Sequence, residues 1–463
     1  MDSVKKVNGE LSAGDTENAQ STLRILVIAP PSVPSYFNAG HHLPVFEVSA
    51  YLRRLPTPLV VKAIDASALS VTWKDVADLL VNQHFNIIAI MNDFDTLDGF
   101  ARFVHYARAL SRTSYLITFG RLSQQIPAFF ERYDLDAIVT SGDYEAGVAG
   151  YIQWLSQVQG NPPGIAIRRG VGWEQPSQNG LMLSPDEWVL PDIDEIPYAA
   201  YDRLYLRDQN KFCGIPERRE LVVPVARGCP IRCFFCEVWR REGLRERRLP
   251  VSRVLSYIEE AFSSAPFEYV SMYAPTFTLN KKWVKELCNE LIIRGARYPW
   301  KCSTTLHHLD EALVELMARS GCIRISVGLE TLDPGGRDTL PQIKQVEGER
   351  FEAISSWCQQ SGIELNCLVI VGLPGTTVEG AKYTMAYVRE KGARVRPTIY
   401  TPYDQLRPEM DEGDVIAFNR QLFTNAASLG DSAELYQLVF SEEPTSTRVM
   451  EMIPRKLMLH GVG

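Results

Sequence analysis

The 463-residue sequence has no uninterrupted apolar run long enough to cross a bilayer, which argues against a membrane protein. It also has no excess of basic residues, and its formal charge of −8 argues against a general nucleic-acid binder. The first twenty residues lack the apolar core of a signal peptide, and residues 1–22 are typical of a disordered tail. These absences together predict a cytoplasmic protein without membrane or nucleic-acid partners.

A disulfide framework is absent as well. The chain has nine cysteines, an odd number, and several lie inside apolar patterns, as Cys367 does in "LNCLVIV". This usage is typical of reduced, intracellular thiols, since disulfide scaffolds belong to small secreted domains. The cysteines are therefore expected to act in packing or in metal binding.

Short apolar runs alternate with helical patterns over residues 23–156. The runs "LRILVIAP", "PLVVKAID", "NIIAIMN", "YLITFG" and "LDAIVTSG" are nearly continuous in apolar residues. Strands of this kind are covered on both faces, so the pattern predicts an α/β domain with a doubly wound parallel sheet. Such a sheet binds its ligands outside the carboxyl ends of its strands.

The rhythm stops over residues 157–220, where proline, glycine and glutamine accumulate and predict an irregular connector. Alternation resumes over residues 221–401, where six strand patterns predict a partial (β/α)6 barrel with its chemistry at the strand ends. Residues 402–463 read as a short, partly helical C-terminal segment that could cover the barrel mouth.

Three cysteines are crowded into "RGCPIRCFFC", directly after the first barrel strand: Cys229, Cys233 and Cys236. A structural zinc site needs four ligands, usually in two pairs, and the seven histidines offer no such pair. A bacterial ferredoxin run needs a fourth cysteine in register with a following proline, which is absent. Three thiolates can instead hold three irons of a [4Fe–4S] cluster and leave the fourth iron open to a ligand.

The motif, the strand before it and the six β/α units resemble radical S-adenosylmethionine (SAM) enzymes over residues 221–401. The resemblance implies that the three cysteines bind the cluster, that SAM chelates the open iron, and that a reductase or flavodoxin supplies the electron that cleaves SAM. It also implies residues that contact SAM. The candidates for these contacts are Phe235, Glu330 in "GCIRISVGLE", and Gly372 and Gly375 in "VGLPG". The acidic pair that related sequences often carry after the second strand is absent from "SMYAPTFTLN".

A doubly wound sheet ahead of such a barrel resembles the flavodoxin-like domain of the cobalamin-binding radical SAM subgroup, and "LPDIDEIPYAAYDRL" is similar to that subgroup's connector. The resemblance implies cobalamin as a further cofactor. Its nucleotide tail would lie near the ends of the fourth and fifth strands, where the candidates are Gly120, Ser141, Gly142 and Glu145. The Asp-x-His-x-x-Gly motif that supplies a histidine ligand to cobalt in related domains is absent. The remaining alternatives are His41 or His42 as the cobalt ligand, cobalamin bound without a histidine ligand, or a sheet that has lost its cofactor. A receiver domain is the rival reading, matched only by Asp93 and Asp95.

The resemblance as a whole implies a class B radical SAM methyltransferase. The substrate would be a small-molecule or peptide intermediate of natural-product biosynthesis, methylated at an unactivated carbon. The alternative is a rearrangement, ring contraction or oxidation without methylation. Tyr400 and Tyr403, at the end of the last barrel strand, are the candidate catalytic residues of the substrate pocket. The arginine-rich stretch 239–253 is interpreted mainly as a solvated face with domain-bridging ion pairs.

Overall fold

The computed structural model describes residues 22–32, 42–157, 160–206, 214–420, 438 and 445–453. These residues form two compact units, one mainly within residues 22–182 and the other mainly within residues 183–453. Within the described residues, no helix combines the length and the apolarity that crossing a membrane requires.

The first unit is built on a seven-stranded sheet in the spatial order β2-β1-β3-β4-β5-β6-β7. Its strands and helices are β1 (Leu23–Ala29), α1 (Leu43–Leu52), β2 (Leu59–Asp65), α2 (Trp73–Asn82), β3 (Ile87–Asn92), α3 (Leu97–Leu110), β4 (Tyr115–Gly120), α4 (Arg121–Gln125), β5 (Ala137–Val139), α5 (Tyr144–Gln157), β6 (Ile165–Arg169) and β7 (Gly172–Glu174). The first five strands are parallel, and every residue of β3 is buried, as its continuous apolar run predicts. The order reverses between β1 and β3, which makes the carboxyl ends of these two strands the switch point where this architecture binds ligands.

Two further strands extend this sheet beyond the five expected. β6 pairs antiparallel with β5, and β7 pairs antiparallel with β6. Both lie in the stretch that the sequence patterns assign to the connector. They are only five and three residues long, and their glycine-rich surroundings hide the strand pattern.

The second unit carries a six-stranded sheet in the order β15-β14-β13-β12-β11-β8, with all neighbours parallel. Its strands and helices are α6 (Tyr198–Tyr205), β8 (Glu220–Pro224), β9 (Ala226–Arg227), α7 (Val238–Arg241), β10 (Arg247–Arg248), α8 (Val251–Ser264), β11 (Tyr269–Tyr273), α9 (Lys281–Ile293), β12 (Trp300–Thr304), α10 (Glu311–Arg319), β13 (Cys322–Glu330), α11 (Pro334–Arg337), α12 (Gly348–Ser361), β14 (Glu364–Val371), α13 (Val378–Glu390), β15 (Arg394–Ile399), α14 (Glu412–Arg420) and α15 (Thr447–Met452). Each β/α repeat adds one strand at the same edge of the sheet, which is the topology of a partial (β/α)6 barrel.

Residues 445–453 of the C-terminal segment lie at the amino ends of these strands. Val449 and Ile453 pack in one buried cluster with Tyr269 and Ile323, which stand at or next to the starts of β11 and β13. The buried Arg324 donates a hydrogen bond to Thr445 Oγ1 at 3.0 Å on the same side. Residues 445–453 therefore cover the end of the sheet opposite to the cysteine loop, and do not cover the barrel mouth.

Candidate active site

The loop that carries the three cysteines leaves the carboxyl end of β8 and is fixed by its backbone. Gly228 has φ +83°, and a Cβ there would lie 2.3 Å from the carbonyl oxygen of Arg245, so the loop passes too close for any side chain. The Cys229 N–H donates to the Gly243 carbonyl at 3.0 Å, and the Cys236 N–H donates to the Cys233 carbonyl at 3.1 Å. The turn therefore holds the three cysteines on one short, anchored segment.

The chemistry of this donor set suits an iron–sulfur cluster. Cys229, Cys233 and Cys236 are all free thiols. Burial, together with the neighbouring cysteines, raises the pKa of Cys233 to about 12 and that of Cys236 to about 11. Soft thiolate ligands select iron–sulfur clusters and similar centres, and binding would displace the thiol protons.

No group of three His, Cys, Asp or Glu residues in the described parts of the chain forms a site for a single metal ion.

A buried ion pair lies beside the cysteines. Glu330 ends β13 with φ +66°, a left-handed conformation that is rare outside glycine. Its Oε1 atom lies 2.9 Å from Lys344 Nζ, and a Cβ on Gly328 would approach these two atoms to 2.1 and 2.5 Å. Burial works to lower the pKa of Lys344, but Glu330 and the thiols of Cys233 and Cys236 outweigh it and raise the pKa. A lysine that keeps its charge therefore lies close to both Glu330 and the cysteine loop.

Lys344 is the site residue that the sequence patterns do not reveal. It lies in a short 3-10 turn, residues 342–344, inside the stretch "LPQIKQVEG". Nothing in its spacing links it to Glu330, fourteen residues earlier. The only available signal is a single lysine shortly after the "SVGLE" strand.

Aromatic residues connect the cysteine loop with the last strand. The ring of Phe235 lies 5.4 Å from that of Phe234, and the Phe234 ring lies 6.2 Å from that of Tyr400. Burial and Asp404 raise the pKa of Tyr400, so its hydroxyl stays protonated at neutral pH. Tyr403 lies three residues further on, at the start of a 3-10 turn. The structure thus places Tyr400 near the cysteine loop through Phe234.

The two glycines of "VGLPG" have positive φ values, +77° at Gly372 and +81° at Gly375. A Cβ on Gly375 would lie 2.5 Å from the carbonyl oxygen of Gly335. The close contact with the α11 turn therefore explains why residue 375 is a glycine. That the Gly375 backbone approaches the adenine of SAM stays a prediction.

The candidates for the cobalamin tail in the first unit are in contact with the protein's own backbone. A Cβ on Gly120 would lie 1.9 Å from the carbonyl oxygen of Asn92, and a Cβ on Gly142 would lie 2.6 Å from Gly180. Ser141 Oγ accepts a hydrogen bond from the Gly180 N–H at 2.9 Å, and Glu145 is only 2% exposed. These contacts with the protein's own backbone are enough to explain why Gly120, Ser141 and Gly142 are small, and no ligand is needed for that explanation.

An open cleft of about 690 Å³ borders this place at the carboxyl end of β5. It is lined by uncharged side chains: Pro127, Thr140, Ser141, Gln175, Pro176, Ser177, Gln178 and Asn179. Hydroxyl and amide groups of this kind can hydrogen-bond a polar ligand. Most of the lining comes from residues 175–179, which follow the two strands that the sequence patterns missed.

A buried charge cluster occupies the carboxyl ends of the first strands in this unit. His42 Nδ1 lies 3.0 Å from Asp65 Oδ2, and His42 Nε2 lies 3.2 Å from Asp95 Oδ2. Burial works to lower the pKa of His42, but the two carboxylates raise it well above its ordinary value, so the ring is an imidazolium. Both ring nitrogens are engaged, which argues against His42 as a cobalt ligand. His41 lies outside the described residues.

The receiver-domain reading finds no support at this end of the sheet. Asp93 Oδ1 lies 3.7 Å from Arg121 Nη1, and Asp95 pairs with His42. The two acids that partly matched a receiver site therefore face the protein's own cations.

The arginine-rich stretch has a structural role in the second unit. Arg253 donates hydrogen bonds to the carbonyls of Pro185 and Trp188 at 2.9 and 2.7 Å, and Arg247 donates to that of Leu183 at 2.7 Å. The guanidinium of Arg227 also lies 4.7 Å from the Trp188 ring centre. These arginines fasten the segment 183–188 within the second unit.

Comparison with known proteins agrees with this geometry. Residues 223–388 match the family model of the Radical SAM superfamily. The chain is 24% identical over 359 residues to an uncharacterized methyltransferase of Pyrococcus horikoshii, covering 75% of this chain and 73% of that protein. It is 25% identical over 276 residues to the anaerobic magnesium-protoporphyrin IX monomethyl ester cyclase of Rubrivivax gelatinosus, covering 56% and 49% of the two proteins.

Two solved structures of TsrM from Kitasatospora setae, a radical SAM methyltransferase, share the fold. One, with tryptophan and a SAM analogue bound, has a TM-score of 0.66 at 16% identity and covers 83% of this chain and 75% of TsrM. The other, with cobalamin and a [4Fe–4S] cluster bound, has a TM-score of 0.65 at 15% identity and covers 83% and 74%. The predicted fold class is confirmed, and residues 223–388 carry a Radical SAM superfamily match.

Proposed function

We propose that this protein is a cobalamin-dependent radical SAM methyltransferase that methylates an unactivated carbon of a small-molecule or peptide substrate. The observation that carries the proposal is the anchored loop with three free thiols beside the buried Glu330–Lys344 pair. Similarity to the Pyrococcus methyltransferase and to TsrM supports the methyl-transfer part. When bound, the cluster and SAM supply a 5′-deoxyadenosyl radical, and cobalamin supplies the methyl group.

The protein's own residues hold and orient these groups. The thiolates of Cys229, Cys233 and Cys236 would bind three irons, and Lys344 would place a positive charge beside them. The positive charge of Lys344 can pair with a negatively charged group of SAM, and the negative charge of Glu330 can pair with a positively charged group. Phe235 and Tyr400 would line the adjoining apolar wall, and Tyr403 would extend it toward the substrate.

The first unit would hold cobalamin at the carboxyl ends of its parallel strands, where this architecture binds ligands. The cleft beside Ser141 offers hydroxyl and amide groups that can hydrogen-bond the nucleotide tail of the cofactor, with Gly120, Gly142 and Glu145 as the neighbouring candidates. The charge cluster around His42 lies at the switch point and offers no free imidazole nitrogen, so cobalt would be held without a histidine from this position.

The test is anaerobic reconstitution of the full chain with iron and sulfide, followed by addition of hydroxocobalamin. We expect one [4Fe–4S] cluster and one corrin per chain, and with a strong reductant and methyl-labelled SAM we expect labelled methylcobalamin and 5′-deoxyadenosine. Cluster formation and SAM cleavage without stoichiometric corrin would contradict the cobalamin assignment. A reductase or flavodoxin is the proposed physiological electron donor.

A non-methylating reaction is the second candidate, and the similarity to the cyclase from Rubrivivax gelatinosus favours it. The same cofactors would then serve a rearrangement, ring contraction or oxidation. The two candidates differ in the product, because only methyl transfer carries label from SAM into the substrate.

A further inference from the structure

A turn at the end of β12 carries polar atoms that have no partner among the described residues. The turn follows Thr304 directly and contains Thr305, His307 and His308. Thr305 is only 1% exposed, and its Oγ1 atom and the Nδ1 atom of His308 are buried without hydrogen bonds. Buried polar atoms without a partner are rare and call for an explanation, since each costs free energy.

Cations surround this turn. The 3-10 turn that carries Lys344 packs against it, and both turns contact β13. Arg350, at the start of α12, donates to the carbonyl of Leu309 and lies 5.4 Å from the Trp357 ring centre. Lys344 is neutralised by Glu330, but Arg350 forms no ion pair with any described residue.

Both histidines respond to these charges. Burial and the cations Arg350 and Lys344 lower the pKa of His307. Burial, Lys281, His307 and Lys344 lower the pKa of His308. Lys281 itself pairs with Asp310 at 2.7 Å. Both rings are therefore neutral near pH 7, in surroundings that favour an incoming negative charge.

We propose that Thr305, His307, His308 and Arg350 form a subsite for an anionic group of the substrate, a carboxylate or a phosphoryl group. The hydroxyl and a ring N–H supply donors to its oxygens, and Arg350 supplies the charge, which suits planar or tetrahedral oxyanions. The inference rests on the proposed function, because it treats the carboxyl end of the barrel as the place of reaction.

Two sources of such an anion have to be separated, the substrate and SAM itself. The SAM carboxylate is expected at the open iron beside the loop after β8. The turn with His307 follows β12, which β11 separates from β8 in the sheet. We assign the anion to the substrate on this separation, and because the turn also packs against the Lys344 turn of the proposed SAM site, the experiment includes SAM as a competing source.

The experiment uses reconstituted protein and diethylpyrocarbonate, which modifies neutral, accessible imidazoles. Inorganic phosphate is titrated at constant ionic strength against chloride, and the modification of each histidine is followed by mass spectrometry. We expect phosphate to slow the modification of the exposed His307 several-fold and to leave the exposed His84 and His105 unchanged. Equal effects on all three histidines, or no effect, would overturn the subsite.

Variants locate the effect. Arg350→Gln should abolish the protection of His307, whereas Arg350→Lys should keep part of it. Arg297→Gln is the matched control, because Arg297 lies in the same unit and its side chain is 62% exposed. In this variant, phosphate should protect His307 as strongly as it does in the unchanged protein. Protection that survives in Arg350→Gln would remove Arg350 from the subsite.

The cofactor arm repeats the titration with saturating SAM. If SAM alone protects His307 and phosphate adds nothing, the anion is the SAM carboxylate and the substrate assignment is wrong. Formation of 5′-deoxyadenosine, measured on the same samples, reports the radical chemistry separately. Failure of the subsite with SAM cleavage intact is therefore distinct from failure of the proposed function.

Discussion

The Nζ atom of Lys344 lies 2.9 Å from the Oε1 atom of Glu330, and the two side chains are only 11% and 6% exposed. This ion pair lies at the carboxyl end of β13, close enough to Cys233 and Cys236 for Lys344 to affect their pKa values. Buried ion pairs contribute little net stability when intact, but removal of one partner leaves an unpaired charge. A pair of this kind next to a cofactor loop fits the proposal that its two charges bind SAM.

Lys344→Met tests this explanation. The change leaves Glu330 buried without a partner, so we expect the free energy of unfolding to fall by about 3 kcal/mol and the affinity for SAM to fall as well. The double variant Lys344→Met with Glu330→Gln should regain stability but not SAM affinity. Lys382→Met is the control, since its pair with Glu379 is largely exposed and should contribute under about 1 kcal/mol. Full SAM affinity in the double variant would show that the pair is only structural.

Gly328→Ala perturbs the same pair without removing a charge. The new Cβ would meet Glu330 Oε1 at 2.1 Å and Lys344 Nζ at 2.5 Å, so the two side chains must move. We expect weaker SAM binding in equilibrium dialysis and a lower free energy of unfolding. Gly172→Ala is the matched control, because no atom lies within 4 Å of a Cβ there. Equal SAM binding by both variants would contradict the positioning role of the pair.

Much of the fold could be predicted from the sequence because its signals are local. The strands of both sheets are short, nearly continuous apolar runs, and the three cysteines fall within eight residues. β6 and β7 escaped prediction because they are very short and extend the sheet antiparallel, where the alternation of strands and helices has ended.

The charge clusters could not be predicted, because they depend on tertiary contacts. His42 meets Asp65 and Asp95 across separations of 23 and 53 residues, and only the order of the strands brings them together. Asp65 is the last residue of β2, and Asp95 lies three residues after the end of β3. An acid near the end of a strand is a weak signal, and it becomes meaningful only once the order of the strands is known.

The three cysteines of the loop should be individually necessary for the cluster. Cys229→Ala, Cys233→Ala and Cys236→Ala should each lose most of the iron and sulfide and the charge-transfer absorption after reconstitution, because each removes a thiolate ligand. Cys358→Ala is the control, since Cys358 is fully buried in α12 and should cost stability alone. A complete cluster in any of the three loop variants would contradict the ligand assignment.

The charge of His42 makes the stability of the first unit depend on pH. Its folded pKa is raised above the ordinary value of 6.5, so its contribution is complete below about pH 6.5 and is lost as the pH rises through the folded pKa. We expect His42→Gln to be destabilised relative to the unchanged protein in urea unfolding, with a difference that shrinks as the pH is raised. His84→Gln, at an exposed position, should show no such difference. A difference that is constant with pH would show that His42 acts by packing alone.

His42 also predicts how cobalt is held, if cobalamin binds as proposed. Both ring nitrogens lie within 3.2 Å of a carboxylate oxygen, so coordination would require one of these contacts to break and the imidazolium to lose its proton. We expect the electron paramagnetic resonance spectrum of bound cob(II)alamin to be the same in unlabelled protein and in protein labelled with [15N]histidine. Isotope-dependent splitting that disappears in His42→Gln would identify His42 as the axial ligand and contradict this prediction. Splitting that persists in His42→Gln would point to another histidine and leave the pair of carboxylates on His42 intact.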